Sequence, residues 1–279
     1  MKGSDVEPIR FTKMHGAGND FIVIDNRHGV FSAGPETIER LCHRRFAIGA
    51  DGLLLLEPAA GADFSMRYFN ADGGEAEMCG NGARCIARFA YRIGASGRRM
   101  TFRSKAGLHR AEIVGERVRV GLTDPTDIRP DVCVDAGGAA VAGLHLNTGV
   151  PHFVTFVEDL TGLDVEGLGR TLRHHEAFRS AGANVDFVRV TGPSTIAVRT
   201  YERGVEAETL ACGTGVTASA LAAHLARGLE PPVRVLTAGG VELAVSWKRS
   251  GERLEEVVLE GDAVFVYEGK LPPEAAAGR

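Results

Sequence analysis

Short apolar runs separated by turns rich in glycine, asparagine and aspartate recur along nearly the whole chain. Such runs, rich in β-branched and aromatic side chains and bounded by turn residues, read as strands. They predict strands at Ile9–Met14, Phe21–Asp25, Leu53–Leu56, Phe64–Phe69, Met100–Arg103, Leu108–Val114 and Arg117–Leu122. Further strands are expected at Leu144–Asn147, Phe153–Val157, Val185–Val190, Thr195–Thr200, Val205–Glu208, Val233–Thr237, Val241–Trp247, Glu256–Leu259 and Ala263–Tyr267. Helical spacing appears in only a few places. Pro35 to Phe46 carries Ile38, Leu41, Cys42 and Phe46 on one face, with Pro35 suited to a first turn. Leu168 to Phe178 reads as a second helix. Two more follow cysteines: Ala83, Ile86, Ala87, Ala90 and Ile93 after Cys79, and Val216, Ala220, Leu221, Ala223 and Leu225 after Cys212, the latter running to about Arg227. Residues 1–8 and 272–279 read as loose tails, and His15–Asp20 as a polar, glycine-rich turn.

The two halves run in parallel: strands, a polar turn, a Cys-Gly-x-Gly motif, a helix, then more strands. This implies an α+β protein of two similar, pseudo-symmetric domains, each a mostly antiparallel sheet around a central helix. A single mixed α/β domain with accidental motif similarity is the competing reading. Asp124 to Asp135, with two prolines and few apolar residues, is the best boundary, or else a long loop. The domains are therefore set at 1–130, carrying Cys79, and 131–261, carrying Cys212.

Composition narrows the function classes. A net charge of −4 and no basic block disfavour a nucleic acid or an anionic membrane surface as partner. No apolar stretch is long enough to span a bilayer, and Met1 to Arg10 lacks an apolar signal core. The 5 cysteines, Cys42, Cys79, Cys85, Cys133 and Cys212, are odd in number and scattered. They fit free thiols in a reducing compartment, hence a cytoplasmic location, better than a disulfide scaffold. Cys42, Cys85 and Cys133 read as ordinary buried or half-buried thiols.

Cys79 and Cys212 differ from the rest. Each stands in a small-residue turn, CGNG or CGTG, that opens a helix. Unpaired N–H groups and the positive end of the helix dipole collect there, able to bind an anion and to lower a thiol pKa. Two such turns suit a thiol–thiolate pair acting on one carbon: one removes a proton from one face, the other returns a proton to the opposite face. The backbone N–H groups of Gly80, Asn81, Gly213 and Thr214 would hold the adjacent carboxylate as charge develops on it. Other uses stay open. A redox pair is conceivable, although no Cys-x-x-Cys is present. Cys42, His43, Cys79, Cys85, His174 and His175 could converge on zinc. A Cys–His nucleophile could use His152 or His15 as base. Both cysteines could also be inert. No dinucleotide or P-loop spacing and no informative lysine appears, so no cofactor and no metal are expected.

The segments HGAGNDF (His15–Phe21), GADG (Gly49–Gly52), YFNADGGEAEMCGNGARC (Tyr68–Cys85), GVPHFV (Gly149–Val154), GANVDFV (Gly182–Val188), YERG (Tyr201–Gly204) and ETLACGTG (Glu208–Gly215) closely resemble the diaminopimelate epimerases, in the same order over nearly the whole chain. The resemblance implies cofactor-independent interconversion of LL- and meso-diaminopimelate, with Cys79 and Cys212 as the catalytic pair and Gly80, Asn81, Gly213 and Thr214 as the carboxylate cradle. It implies a distal recognition set of Asn19, Asn70, Asn184, Glu202 and Arg203. A carboxylate suits Arg203, Asn70 and Asn184, and an ammonium suits Glu202. It also implies that a last strand near 262–270 returns to the first domain, and that the chain forms a homodimer. Related amino-acid racemases of other specificity, and a non-catalytic binding protein on the same fold, are the alternatives. The chain departs from the family in having Val150 where asparagine is frequent, Gly74 where serine is frequent, and one extra residue between Arg203 and Cys212.

Overall fold

The computed structural model describes residues 8–32, 34–178, 182–272 and 275. The tails read at 1–8 and 272–279 lie outside the described residues, apart from Pro8, Pro272 and Ala275. The chain forms two compact units: described residues up to Val120 with those from Asp262 onward, and Gly121–Gly261.

In the first unit, β1 (Ile9–Gly16) and β2 (Asn19–Asp25) form a hairpin. After α1 (Pro35–Cys42), β3 (Gly52–Glu57) lies parallel to β2 and antiparallel to β4 (Phe64–Asn70). The short β5 (Glu75–Ala76) pairs back on β4 and leads into α2 (Gly80–Arg92). Then β6 (Arg99–Ser104) runs parallel to β4, and β7 (Gly107–Val114) and β8 (Arg117–Gly121) continue antiparallel.

The second unit opens with β9 (Thr126–Asp135), antiparallel to β10 (Ala140–Asn147), which pairs with β11 (Pro151–Phe156). After α3 (Val165–Arg173), β12 (Asn184–Gly192) lies parallel to β11 and antiparallel to β13 (Thr195–Glu202). The short β14 (Ala207–Thr209) pairs back on β13 and leads into α4 (Gly213–Arg227). Then β15 (Val233–Leu236) runs parallel to β13, followed by β16 (Glu242–Ser250) and β17 (Arg253–Asp262). The closing strand, β18 (Val264–Leu271), pairs antiparallel with β1. From β1 to β8 and from β10 to β17, the connections and strand directions repeat, so the fold is α+β with one pattern used twice.

Both faces of β3 are covered, which is why Leu53–Leu56 is an unbroken apolar run. Leu53 and Leu55 pack with Ile38 and Leu41 of α1, while Leu54 lies against Gly82 of α2. In β12, Val185 and Phe187 pack with Val165 and Leu172 of α3, which leaves Asn184 and Asp186 to the opposite face. The helices α2 and α4 are buried along most of their length. α2 packs against β1, β2, β3, β4 and β7, and α4 against β10 to β13, β15 and β16. Among the described residues, no helix is long and apolar enough to cross a membrane.

Four expectations change. First, α1 stops at Cys42, and Phe46 is 84% exposed rather than part of the apolar stripe. His43 turns extended, its Nδ1 accepts from the N–H groups of Arg45 and Phe46, and Arg44 is drawn to Asp20 and Asp51. Second, α3 begins earlier, at Val165, because Asp164 caps it by accepting from Gly167 N–H at 2.8 Å, and it ends at Arg173 before a separate 3-10 turn at Glu176–Phe178. Third, 126–135 is a strand, not a loop. Register shifts on β10 absorb Pro130 and Asp131 between Arg129 and Val132, and Asp127 adopts a positive φ of 47°. Cys133 on this strand is exposed, since alternation buries Val134 instead. Fourth, the polar turn shrinks to Ala17–Gly18, both at positive φ, and Asn19 and Asp20 begin β2.

Gly73 at the β4–β5 turn has φ +81°, and a Cβ there would lie 2.2 Å from the Pro35 carbonyl oxygen. Gly115 has φ +61° with open space around it. In urea denaturation, Gly115→Ala should cost only the left-handed backbone penalty, about 1–2 kcal/mol, and Gly73→Ala clearly more. Equal costs would mean that the contact with Pro35 imposes nothing.

Candidate active site

In the first unit, Cys79 is the N-cap of α2, with extended backbone (φ −138°, ψ 122°), and its Sγ accepts from the Gly82 N–H at 3.5 Å. Gly80 and Asn81 are the first two residues of the helix and are buried. The first N–H groups of a helix have no partner within it. The Asn19 side chain lies beside the thiol, its Oδ1 accepting from Cys79 Sγ at 3.6 Å and from Asn81 Nδ2 at 3.3 Å. Asn81 Oδ1 accepts from Nη2 of the fully buried Arg84 at 2.7 Å. Asn70 ends β4 opposite Gly52, where its backbone closes the turn to Gly73 and Gly74.

In the second unit, Cys212 caps α4, and Gly213 and Thr214 open it. The thiol is buried and lies 3.3 Å from Thr214 Oγ1. The largely buried Glu202 carboxyl is a near neighbour of Cys212 and bears on it electrostatically. Beneath the helix start is a fully buried pair, Asp186 and His152, at 2.7 Å. Asp186 also accepts from Thr200 Oγ1 at 2.7 Å, and a Cβ on Gly215 would come within 2.4 Å of its Oδ1. Only glycine lets the helix sit this close. The ring of His152 is oriented by its neighbours. Its Nδ1–H donates to the carboxylate, which can only accept. Its Nε2 accepts from Asn184 Nδ2 at 3.3 Å, because Asn184 Oδ1 already accepts from the Arg203 N–H at 2.6 Å.

Burial outweighs the helix dipole at Cys212. It holds the thiol well above its ordinary pKa, with the negative charges of Glu202 and Asp186 acting in the same sense; the Thr214 hydroxyl and the nearby Gly215 backbone only partly oppose it. At this cysteine burial thus opposes the lowering that the helix position favours. Burial likewise raises the Glu202 carboxyl. Cys42 is pushed up to about 11 by burial, as an inert core thiol should be.

The structure gathers Cys79, Gly80, Asn81 and Asn19 at one helix start, and Cys212, Gly213, Thr214 and Glu202 at the other. Asn19 lies beside Cys79, and Glu202 beside Cys212. Asn184 and Arg203 are joined through the Arg203 N–H. Among the described residues no cluster of three or more His, Cys, Asp or Glu forms a metal-sized site, so Cys42, His43, Cys79, Cys85, His174 and His175 do not assemble one. Sequence reasoning assigned no role to Asp186, Thr200 or Asp51. For Asp186 a signal existed: an acidic residue inside the apolar strand VDFV.

The family model described as diaminopimelate epimerase matches residues 11–127 and 144–266. The chain belongs to the diaminopimelate epimerase family. It is 43% identical to a diaminopimelate epimerase of Aquifex aeolicus, over 95% of this chain and 99% of the relative. It is also 43% identical to a diaminopimelate epimerase of Chlorobaculum tepidum, over 92% of this chain and 99% of the relative. The epimerase fold recurs in solved structures of low identity. A PhzF-family phenazine biosynthesis protein of Bacillus anthracis superposes with TM-score 0.72 at 16% identity, covering 95% of this chain and 99% of that one. A probable proline racemase of Agrobacterium radiobacter gives TM-score 0.70 at 17% identity, covering 96% and 95%. These two show the fold alone.

Iodoacetamide labelling followed across pH by peptide mass spectrometry should give Cys212 a midpoint above that of a free thiol. Glu202→Gln should lower that midpoint by removing a like charge. A midpoint that stays or rises would contradict the electrostatics described here. Asp186→Ala, which leaves His152 and Thr200 buried without their partner, should cost about 3 kcal/mol or more in chemical denaturation.

Proposed function

We propose that the chain interconverts LL- and meso-diaminopimelate with Cys79 and Cys212 as opposed acid and base. The observation that carries this reading is the same in both units: a cysteine at the N-cap, followed at once by Gly80–Asn81 or Gly213–Thr214. The substrate's reacting carboxylate takes the backbone N–H groups of these four residues, which stabilise the negative charge that develops on deprotonation. One thiolate takes the α-proton and becomes a thiol, and the opposite thiol gives its proton to the other face and becomes a thiolate. No proton or charge is left over, and the reverse reaction uses the same pair with roles exchanged. The mechanism requires both sulfurs to reach one carbon. Burial favours the thiol form of Cys212, which suits it to the acid role in the resting pair. The scheme calls on no metal or cofactor.

Distal recognition falls to Asn19, Asn70, Asn184, Glu202 and Arg203, with Asn184 fixing the Arg203 backbone. A second amino-acid centre has a carboxylate for an arginine, and lysine lacks it. Val150 cannot donate a hydrogen bond, which favours a second reading, an amino-acid epimerase of different substrate range. We place the chain in the cytoplasm, as a homodimer serving lysine biosynthesis, without nucleic-acid or membrane partners.

With reduced thiols, LL-diaminopimelate should be converted to meso product, and lysine should not be racemised. Cys79→Ala and Cys212→Ala should each lower net epimerisation by at least about 100-fold. Full activity in either variant would sink the two-cysteine scheme. Preference for another amino acid in a substrate panel would favour the second reading.

A further inference from the structure

Asn19 and Asn81 stand in a line of hydrogen bonds between a group that can only donate and one that can only accept. Arg84 Nη2 donates to Asn81 Oδ1 at 2.7 Å, Asn81 Nδ2 to Asn19 Oδ1 at 3.3 Å, and Asn19 Nδ2 to Asp51 Oδ2 at 2.8 Å. A guanidinium at one end and a carboxylate at the other leave one orientation for both amides. That orientation turns the Asn19 carbonyl oxygen toward the Cys79 sulfur. A flipped amide would present its NH2 instead, favouring the thiolate where the carbonyl favours the thiol.

Asp51 is well placed to set this polarity. Parallel pairing of β2 with β3 puts the loop before β3 beside Asn19, and Asp51 Oδ2 also accepts from the Asp20 N–H at 3.1 Å. Its other oxygen accepts from Arg44 Nη2 at 2.6 Å, and Arg44 in turn bridges to Asp20 at 2.7 Å. Lys13 closes the cluster on Asp20 at 2.8 Å and on the Gly49 carbonyl.

We infer that Asp51 is a positioning residue for Cys79, holding the Asn19 amide so that its carbonyl oxygen, not its NH2, meets the thiol. The orientation stands on geometry alone; its catalytic consequence rests on the reading of Cys79 as a proton-transfer group. Arg84 and Cys85 of α2 interact electrostatically with Cys79, Asp262 faces Arg84, and Asp51, Asp20, Arg44 and Lys13 form the ionic cluster that ends at Asn19.

The test is a double-mutant cycle on the full-length protein, reading the pH midpoint of Cys79 alkylation by peptide mass spectrometry. Asp51→Ala should lower the midpoint in the wild-type background and leave it unmoved in an Asn19→Ala background. Asp51→Asn, which keeps an oxygen acceptor for Asn19 Nδ2, should restore the wild-type midpoint in good part and also serves if Asp51→Ala does not fold. In turnover assays Asp51→Ala should lower kcat more than it raises KM. The same shift with and without Asn19 would assign the effect to the bare charge of Asp51 and overturn the proposal, as would no shift in either background. The labelling cycle reports on the amide even if diaminopimelate proves not to be the substrate, so the two readings fail separately.

Discussion

The structure turns on how two buried helices begin. α2 and α4 are each enclosed by strands of their own unit, so their opening residues, Gly80, Asn81 and Gly213, are buried. Serine, threonine, aspartate or asparagine would satisfy such an end best. Cysteine stands there instead, a soft and weak acceptor, at Cys79 and Cys212. The choice costs helix stability and makes sense as chemistry: a sulfur at the N-cap lies beside the backbone donors that can hold a carboxylate. Glycine at positions 82 and 215 then lets each helix start pack closely, against Leu54 and Asp186 respectively.

The same repeat that creates two helix starts also reveals where they differ. In the pairing register, Leu54 lies opposite Tyr68, and Asp186 occupies the matching place opposite Thr200. Phe21 heads the parallel pair in one unit where His152 heads it in the other. One thiol therefore stands above an apolar floor and the other above a buried Asp–His–Thr network. The two sulfurs are therefore not equal at rest: burial raises the Cys212 pKa, and the charges of Glu202 and Asp186 act in the same sense. The first unit reaches its own polar control by another route, through the amides of Asn19 and Asn81.

Much of this was legible in the chain. The cysteine turns, the helices after them and most strands follow from glycine clusters and apolar periodicity, because both are local signals. Helix α4 ends at Arg227, as its pattern predicts, since Gly228 takes the left-handed conformation there. What local pattern misses is decided at a distance. Phe46 continues the α1 stripe on paper, but Arg44 is recruited by Asp20 and Asp51, and the helix stops short. Thr126–Asp135 looks like a linker because of its prolines and aspartates, yet pairing with β10 makes it a strand that bulges around Pro130. No local pattern in the sequence says which helix start Asn19 or Glu202 will face. Tertiary packing puts both against the thiols. Asp51 sits in a turn motif whose sequence says only that the chain bends.

In the proposed reaction two separate sulfurs handle the departing and arriving protons. Isotope partitioning at early times tests it most directly. In D2O, starting from unlabelled LL-diaminopimelate, the account predicts that the first meso product carries α-deuterium while recovered LL substrate stays unlabelled. Starting from the meso isomer, deuterium should enter the LL product first in the same way. Deuterium appearing in recovered substrate as fast as in product, in both directions, would mean that one group exchanges the proton on a single face, and would contradict the account.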